Sequence, residues 1–197
     1  MKEILVLYYS KSGSVKEMAS FIARGINSVE GVQAKIRTVP EIFPEVKKEV
    51  ASIPDSGSLY ATLEDLENCS GLALGSPTRF GNMAAPLKYF IEMGTPLWLK
   101  GSLENKPACV FTSSSSLHGG NESTLLSMQI PLFHMGMILL GLPYSLPELT
   151  TTSSGGTPYG ASHVSNNKNK NSISDDEKKL CIAQGVRLGK ISLKLNE

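Results

Sequence analysis

Apolar residues in this chain follow two alternating patterns. Short unbroken apolar runs, such as Ile4–Tyr9, are typical of strands buried on both faces of a parallel sheet. Between the runs, apolar residues recur every three or four positions, as in Val15, Met18, Ile22 and Ile26, which indicates helices that pack on one side. The alternation predicts a doubly wound α/β fold, with a five-stranded parallel sheet and helices on both of its faces.

The patterns also predict element boundaries. The predicted strands are Ile4–Tyr9, Val32–Val39, Leu72–Leu74, Ala108–Thr112 and Met137–Leu140. The predicted helices are Val15–Ile26, Thr62–Leu66, Ala84–Met93, Ser123–Met135 and Ser174–Leu195, the last opening with a capping box. Residues 1–197 are expected to form a single domain with two long loop insertions, Pro40–Ala61 and Leu142–Asn171.

Composition excludes several classes of protein. The chain has 41% hydrophobic and 19% charged residues and a formal net charge of +1, so no basic surface for nucleic acid is expected. Cys69, Cys109 and Cys181 match neither a disulfide framework nor zinc-ligand spacing; they are predicted to be buried free thiols, and no metal site is predicted. The apolar runs are too short for a signal peptide or a membrane span, which predicts a cytoplasmic protein without a membrane partner.

Three loops should meet where the first, third and fourth strands end, because ligands of doubly wound sheets bind outside the carboxyl ends of the strands. The first, Ser10–Val15, combines hydroxyl groups with Gly13 at the start of a helix, where free N–H groups favour an anion. It has neither the P-loop nor the dinucleotide-binding sequence. By itself it is equally compatible with a serine-rich helix cap.

The other two loops favour a specific ligand. Ser76–Met83 carries Arg79 beside Phe80, and Ser113–Gly120 offers small side chains and exposed amides. Together the three loops predict a slot for a flat polar ring attached to a phosphate, which is the shape of flavin mononucleotide (FMN). Arg79 would stabilise negative charge on the reduced ring. Considered singly, Arg79 could instead form a surface salt bridge, and Phe80 could instead pack in the core.

Four strings give a family resemblance that runs almost the length of the chain: Tyr8–Ser10, Gly75–Met83, Leu117–Gly120 and Gly155–Gly160. In these strings the chain resembles the WrbA-type NAD(P)H:quinone oxidoreductases. The resemblance implies a flavodoxin-like fold, FMN as cofactor, NADH or NADPH as electron donor, quinone substrates and a homotetramer. It also implies two-electron, ping-pong hydride transfer from NAD(P)H through flavin N5 to the quinone.

The resemblance assigns roles to individual residues. The FMN phosphate would be held by Ser10, Lys11, Ser12, Gly13, Ser14 and Val15. The ribityl chain and ring would contact Thr78, Arg79, Phe80, Ser113, Ser114, Ser115, Ser116, Leu117 and His118. His134 matches a histidine near the flavin that would protonate the quinol oxygen or orient the ring. Trp98 would line the substrate side, and Tyr144 would approach a neighbouring subunit's site.

The chain departs from the family pattern at Ser12 and at Met135, where many members carry a second histidine after the one that matches His134. Members often carry a tyrosine at the position of Ser12, and that tyrosine contacts the nicotinamide nucleotide. The resemblance therefore implies that Ser12 also belongs to the substrate side, with a smaller side chain.

Simpler interpretations of these residues stay open at this stage. His134 follows apolar residues and fits a buried core histidine, and Trp98 fits core or subunit-interface packing. His118 either donates a hydrogen bond near the flavin or is merely solvated. His163 lies in the second predicted loop and is expected to be exposed.

Two other functional classes remain possible. One is a flavodoxin-type FMN electron-transfer protein without its own substrate site, which near-neutral charge and the long insertions disfavour. The other is an interaction or signalling module without a cofactor. A phosphoacceptor receiver would need acidic residues where this chain has Tyr9-Ser10 and Gly75-Ser76.

Overall fold

The computed structural model describes residues 1–42, 53–54, 56–165 and 172–195. Its strands are β1 (Lys2–Tyr8), β2 (Val32–Thr38), β3 (Leu72–Pro77), β4 (Pro107–Ser114), β5 (Ile138–Leu139) and β6 (Ala161–Val164). Its helices are α1 (Ser14–Asn27), α2 (Leu63–Asn68), α3 (Ala85–Met93), α4 (Thr95–Leu99), α5 (Asn121–His134), α6 (Glu148–Thr151) and α7 (Asp175–Leu195). Half of the predicted insertion Pro40–Ala61, and the end of the second one, lie outside the described residues.

The strands form one parallel sheet in the order β2-β1-β3-β4-β5, with β6 also paired to β4. Successive side chains of a strand point to opposite faces, so each central strand contributes to two apolar cores. On one face Ile4 and Val6 pack beneath α1 and α7. On the other, Leu5 and Leu7 pack beneath α2, α3, α4 and α5. The predicted doubly wound α/β sheet is confirmed.

Two glycines allow α1 and α7 to cross at short range over the sheet. A Cβ atom on Gly25 would lie 2.1 Å from the carbonyl oxygen of Ile182, and one on Gly185 would lie 2.1 Å from the carbonyl oxygen of Ile22. No side chain fits at either point, so the crossing of α1 and α7 depends on glycine at both positions.

Two predicted helix starts carry reciprocal caps. The Thr62 hydroxyl accepts from the Asp65 N–H, and the Asp65 carboxylate accepts from the Thr62 N–H. Ser174 and Glu177 make the same exchange at the start of α7. Both predictions are confirmed; α4, a single turn that follows α3 closely, was not predicted.

The prediction of an uninterrupted loop over Leu142–Asn171 is wrong for α6 and β6. The first half of β4 pairs with β5 and its second half pairs with β6, so two short strands share one position in the sheet. β6 is four residues long and mixes Ser162 and His163 with apolar residues, so it lacks the apolar run that marks the other strands. Its pairing with β4 gives it strand conformation.

His163 is buried, which corrects the expectation that it is exposed. Its side chain is 1% exposed, and its Nδ1 lies 2.9 Å from Oε2 of Glu177, which is equally buried. The same carboxylate accepts from the N–H groups of Gly155 (2.8 Å), Val164 (3.1 Å) and Ser174 (2.8 Å). Burial alone would raise the pKa of Glu177, but His163 and the backbone N–H groups of Ser174 and Val164 lower it to about 2. Glu177 thus ties β6 to the start of α7.

The three cysteines are buried and unpaired, as predicted. Burial raises the pKa of Cys69 to about 11 and that of Cys109 to about 12, so both thiols stay protonated. None of the helices within the described ranges is both long and apolar enough to cross a bilayer.

The depressed pKa of Glu177 predicts a specific loss of stability in acid. A carboxyl group with a folded-state pKa of about 2 and an ordinary value of 4.5 stabilises the fold above pH 4.5, and this contribution disappears as the pH falls towards 2. Between pH 5.5 and 2.5, urea denaturation should show the wild type losing roughly 2 kcal/mol more unfolding free energy than Glu177→Gln.

Asp176→Asn is the matched control, because Asp176 is only half-buried and its nearest cation, the Nζ of Lys179, lies 3.9 Å away. Its unfolding free energy should follow the wild type across this range. Identical pH dependence in the wild type and Glu177→Gln would contradict the role given to this carboxylate.

Candidate active site

A polar cleft of about 320 Å³ opens at the carboxyl ends of β1, β3, β4 and β6. Its walls are Ser10, Lys11, Ser12, Ser14, Val15, Pro77, Thr78, Arg79, Ser113, Ser114, Ser115 and Ser165. Residues from all three predicted loops therefore line one cavity. Hydroxyl groups predominate in it, with one lysine and one arginine as the charged groups.

The start of α1 gives this cleft the properties of an anion site. Gly13 is the N-cap residue in a left-handed conformation (φ 98°), and its N–H donates to the Ser10 hydroxyl over 3.1 Å. Gly13 has no side chain that could accept from the first N–H groups of the helix, which stay available to a ligand. The Ser14 hydroxyl is buried and has no hydrogen-bond partner among the residues that the structure describes. These donors fit a phosphate group.

An ion pair stands beside the same cleft. The Lys11 ammonium lies 2.6 Å from a carboxylate oxygen of Glu41, and the Tyr9 hydroxyl donates to that oxygen over 3.1 Å. Burial and the Glu41 carboxylate raise the pKa of Tyr9, and the hydrogen bond to Glu41 raises the pKa of Lys11. Lys11 is therefore a permanent cation beside the helix start.

Arg79 and Phe80 lie on a tight turn whose geometry is unusual for a phenylalanine. The turn is closed by mutual backbone hydrogen bonds between Arg79 and Asn82 (2.8 and 3.0 Å). Phe80 has a φ of 51° and Gly81 a φ of 78°, as in the primed hairpin turns, where asparagine and glycine predominate. Phe80 is fully exposed, so the core-packing alternative for this residue is wrong.

The Arg79 guanidinium donates to the carbonyl oxygen of Thr78 over 2.9 Å. Within the described part of the chain no carboxylate pairs with it, so the salt-bridge alternative has no support there. The Arg79 side chain therefore stabilises the turn on which it lies, and its guanidinium group lines the cleft.

A second, larger cleft of about 820 Å³ begins at Arg79. Its lining is largely apolar and is formed by Arg79, Asn82, Met83, Ala85, Lys88, Ile91, Glu92, Thr95, Trp98, Ser127, Ile130, Pro131, His134 and Met135. Trp98 is 49% exposed and His134, the last residue of α5, is also exposed. The alternatives of a core tryptophan and a buried histidine are both wrong.

Five of the residues predicted to contact FMN line neither cleft: Gly13, Phe80, Ser116, Leu117 and His118. Leu117 and His118 are exposed on the loop after β4. That loop is held by the Ser114 hydroxyl, which donates to the Ser116 carbonyl oxygen over 2.7 Å.

Sequence reasoning missed some of the residues in these walls. Ser165 completes the polar cleft because its N–H donates to the Ser114 carbonyl oxygen (2.7 Å) at the end of β6. Met83 and Met135 line the second cleft. The Ala84–Met93 pattern indicated a helix beside Met83, but Ser165 carried no signal because β6 itself was not predicted.

A parallel sheet with an anion site at its first helix and an open apolar cleft beside it describes a flavodoxin-like α/β protein. The family model for NADPH-dependent FMN reductase matches residues 3–148. The chain belongs to this family, as the resemblance in its sequence indicated.

Full-length relatives agree with this membership. The chain is 41% identical to the "NAD(P)H dehydrogenase (quinone)" of Acidithiobacillus ferrooxidans over 99% of both chains. It is 38% identical to the protein of the same name from Syntrophobacter fumaroxidans over 98% of both. A flavodoxin, WrbA-like protein from Agrobacterium tumefaciens superposes with a TM-score of 0.69 at 18% identity, covering 98% of this chain and 99% of that one. The flavodoxin-like fold is confirmed.

The positive φ of Phe80 predicts that asparagine at this position would give a more stable fold. Asparagine adopts positive φ more readily than phenylalanine, and an exposed Phe80 has no packing to lose. Phe80→Asn should therefore raise the unfolding free energy by about 0.5–1 kcal/mol in urea titrations.

Leu117→Asn serves as the control, since Leu117 is also an exposed apolar loop residue but has no positive φ. It should leave stability unchanged. A destabilised Phe80→Asn variant would show that the phenylalanine stabilises the folded chain itself.

Proposed function

We propose that this protein is an FMN-dependent NAD(P)H:quinone oxidoreductase. The observation that carries the proposal is the meeting of a polar, anion-accepting cleft and an open apolar cleft at a single residue, Arg79. The names of the curated relatives support the same activity. When bound, FMN would supply the two-electron chemistry between the nicotinamide donor and the quinone.

The polar cleft is proposed to hold the FMN phosphate and ribityl chain. The buried Ser14 hydroxyl and the first N–H groups of α1 would donate to the phosphate, and the Lys11 ammonium would add a charge-assisted contact. Ser113, Ser114 and Ser115 would line the path towards the ring. Arg79, Phe80 and the exposed Leu117 and His118 would approach the ring from the two flanking turns.

The apolar cleft is proposed to take the substrates in turn. Trp98 and the two methionines give it a surface suited to flat aromatic molecules. His134, the last residue of α5, would hold a proton for the quinol oxygen. Ser12, at the rim of the polar cleft, would contact the nicotinamide nucleotide.

A flavodoxin-type electron-transfer protein is the second candidate, because the fold and the polar cleft fit it equally well. The apolar cleft favours the enzyme, because an electron-transfer protein without its own substrate does not need an apolar cleft lined by a histidine and a tryptophan.

We further propose that the chain, as a single domain, assembles into a homotetramer in the cytoplasm. Large apolar side chains are exposed on α3, α4 and α5, namely Tyr89, Met93, Trp98, Leu99, Leu126, Ile130 and Phe133. So many exposed apolar groups on neighbouring elements are typical of protein interfaces. Tyr144, 67% exposed, is proposed to reach a neighbouring subunit's site.

Steady-state turnover distinguishes the two functions. FMN-loaded protein should oxidise NADH or NADPH continuously in the presence of benzoquinone under anaerobic conditions. His134→Asn should reduce kcat by about 10²-fold and remove an ionisation from the pH profile, as loss of a proton donor does. A single stoichiometric reduction without turnover would favour the electron-transfer protein, and failure of FMN to bind would contradict both.

Ser14 gives a direct test of the position proposed for the phosphate. Ser14→Ala removes a buried donor that has no partner in the described part of the chain, and it should weaken FMN binding about tenfold. Riboflavin, which lacks the phosphate, should bind the wild type and Ser14→Ala equally, as measured by quenching of flavin fluorescence.

Ser20→Ala is the control, because Ser20 lies on the exposed side of α1 and its hydroxyl donates to the Lys16 carbonyl. It should bind both ligands like the wild type. An equal loss for riboflavin and FMN in Ser14→Ala would place the phosphate elsewhere.

A further inference from the structure

Hydroxyl groups form a continuous chain beneath the Arg79 turn. The Thr124 hydroxyl, in the first turn of α5, donates to the Thr78 hydroxyl over 3.1 Å. The Thr78 hydroxyl lies 3.4 Å from that of Thr112 on β4. Thr112 in turn donates to the Ser76 carbonyl oxygen over 2.7 Å. The chain thus joins the helix, the turn and the two central strands.

The chain determines which way each proton points. A hydroxyl has one proton to donate and two lone pairs to accept with. Thr112 uses its proton on Ser76 and Thr124 uses its proton on Thr78, so the contact between Thr78 and Thr112 must use the Thr78 proton. Thr78 is left with one lone pair and no proton, and its side chain lines the polar cleft. Towards a ligand, Thr78 is a hydrogen-bond acceptor.

Burial makes this arrangement hard to reverse. Thr112 and Thr124 are both 0% exposed, so water cannot replace either of them in the chain. Backbone contacts fix the turn as well, since the Thr78 N–H donates to the Ser113 carbonyl oxygen over 2.9 Å. On the far side, a Cβ on Gly120 would lie 3.5 Å from the Thr78 methyl group, which therefore faces this glycine.

We propose that Thr112 and Thr124 are positioning residues that hold Thr78 as an acceptor for one hydroxyl group of the ribityl chain. The proposal rests on the proposed function, because it requires FMN in the polar cleft. It adds that recognition of the sugar-alcohol chain depends on two threonines that lie outside both clefts.

A pair of substitutions at one position tests the proposal. Thr124→Val keeps the shape and removes the donor, whereas Thr124→Ser keeps the donor and removes a methyl group. In titrations followed by flavin fluorescence, Thr124→Val should raise the Kd for FMN about fivefold to tenfold, and Thr124→Ser should stay within about twofold of the wild type. Equal affinities of the two variants would overturn the proposal.

FMN analogues that each lack one ribityl hydroxyl identify the partner of Thr78. One of these analogues lacks the hydroxyl that contacts Thr78. The wild type should bind that analogue more weakly than FMN, by the same factor by which Thr124→Val weakens FMN binding. Thr124→Val itself should bind that analogue and FMN equally. Fully additive losses for every analogue would overturn the proposed contact.

Thr112→Val and Thr112→Ser test the other end of the chain, and valine suits a buried strand. Thr112→Val removes the acceptor of the Thr78 proton, so the Thr78 hydroxyl is no longer held with its lone pair towards the ligand; FMN binding should weaken in this variant and stay unchanged in Thr112→Ser. Thermal unfolding midpoints identify any variant that fails to fold, in which case the other position supplies the test. A wild type that binds no FMN would contradict the proposed function, whereas serine and valine variants of equal affinity would contradict this inference alone.

Discussion

Burial of the central strands on both faces is the constraint on which the rest of this structure depends. Ile4–Leu7 and Leu72–Leu74 are 0% exposed, and so are Val110 and Phe111. Strands packed in this way have no room for uncompensated polar groups along their length. On β3 and β4, polar side chains begin near the carboxyl ends, at Ser76 and from Thr112 onwards. The chemistry of the protein is therefore confined to one edge of the sheet.

At that edge, polar groups and apolar packing have to coexist within a few ångströms. The structure meets this requirement with local hydrogen-bond networks between protein groups. The threonine chain satisfies the hydroxyls beneath the Arg79 turn, and Glu177 satisfies four donors around β6. Ser14 is an informative exception, since its buried hydroxyl has no partner among the described residues and Ser14 lines the polar cleft. An unsatisfied donor at a helix start is a cost that a bound phosphate would remove.

Much of the fold could be predicted because its strongest signals are local. β1, β3 and β4 are apolar runs, and α1 has a regular apolar stripe, so period and length identify them without tertiary information. The caps at Thr62 and Ser174 are likewise set by residues three positions apart. The three loops of the polar cleft then follow from topology alone.

The features that could not be predicted depend on distant parts of the chain. β6 has strand conformation because it pairs with β4. His163 can be buried because its Nδ1 forms a hydrogen bond with Glu177, a residue 14 positions further along the chain. Ser165 enters the cleft only through that pairing. The outward direction of Phe80 follows from a positive φ that phenylalanine seldom adopts, so its residue type gave no indication of it.

The central claim is that three turns at one edge of the sheet jointly bind FMN. A crystal structure of the protein with FMN tests it most directly. Electron density for the phosphate should lie against the first N–H groups of α1 and the Ser14 hydroxyl, with the ribityl chain passing Thr78 and the ring between the turns at Arg79 and Leu117. Density for FMN at any other surface, or a fully loaded crystal in which the Ser14 hydroxyl still has no partner, would contradict the claim.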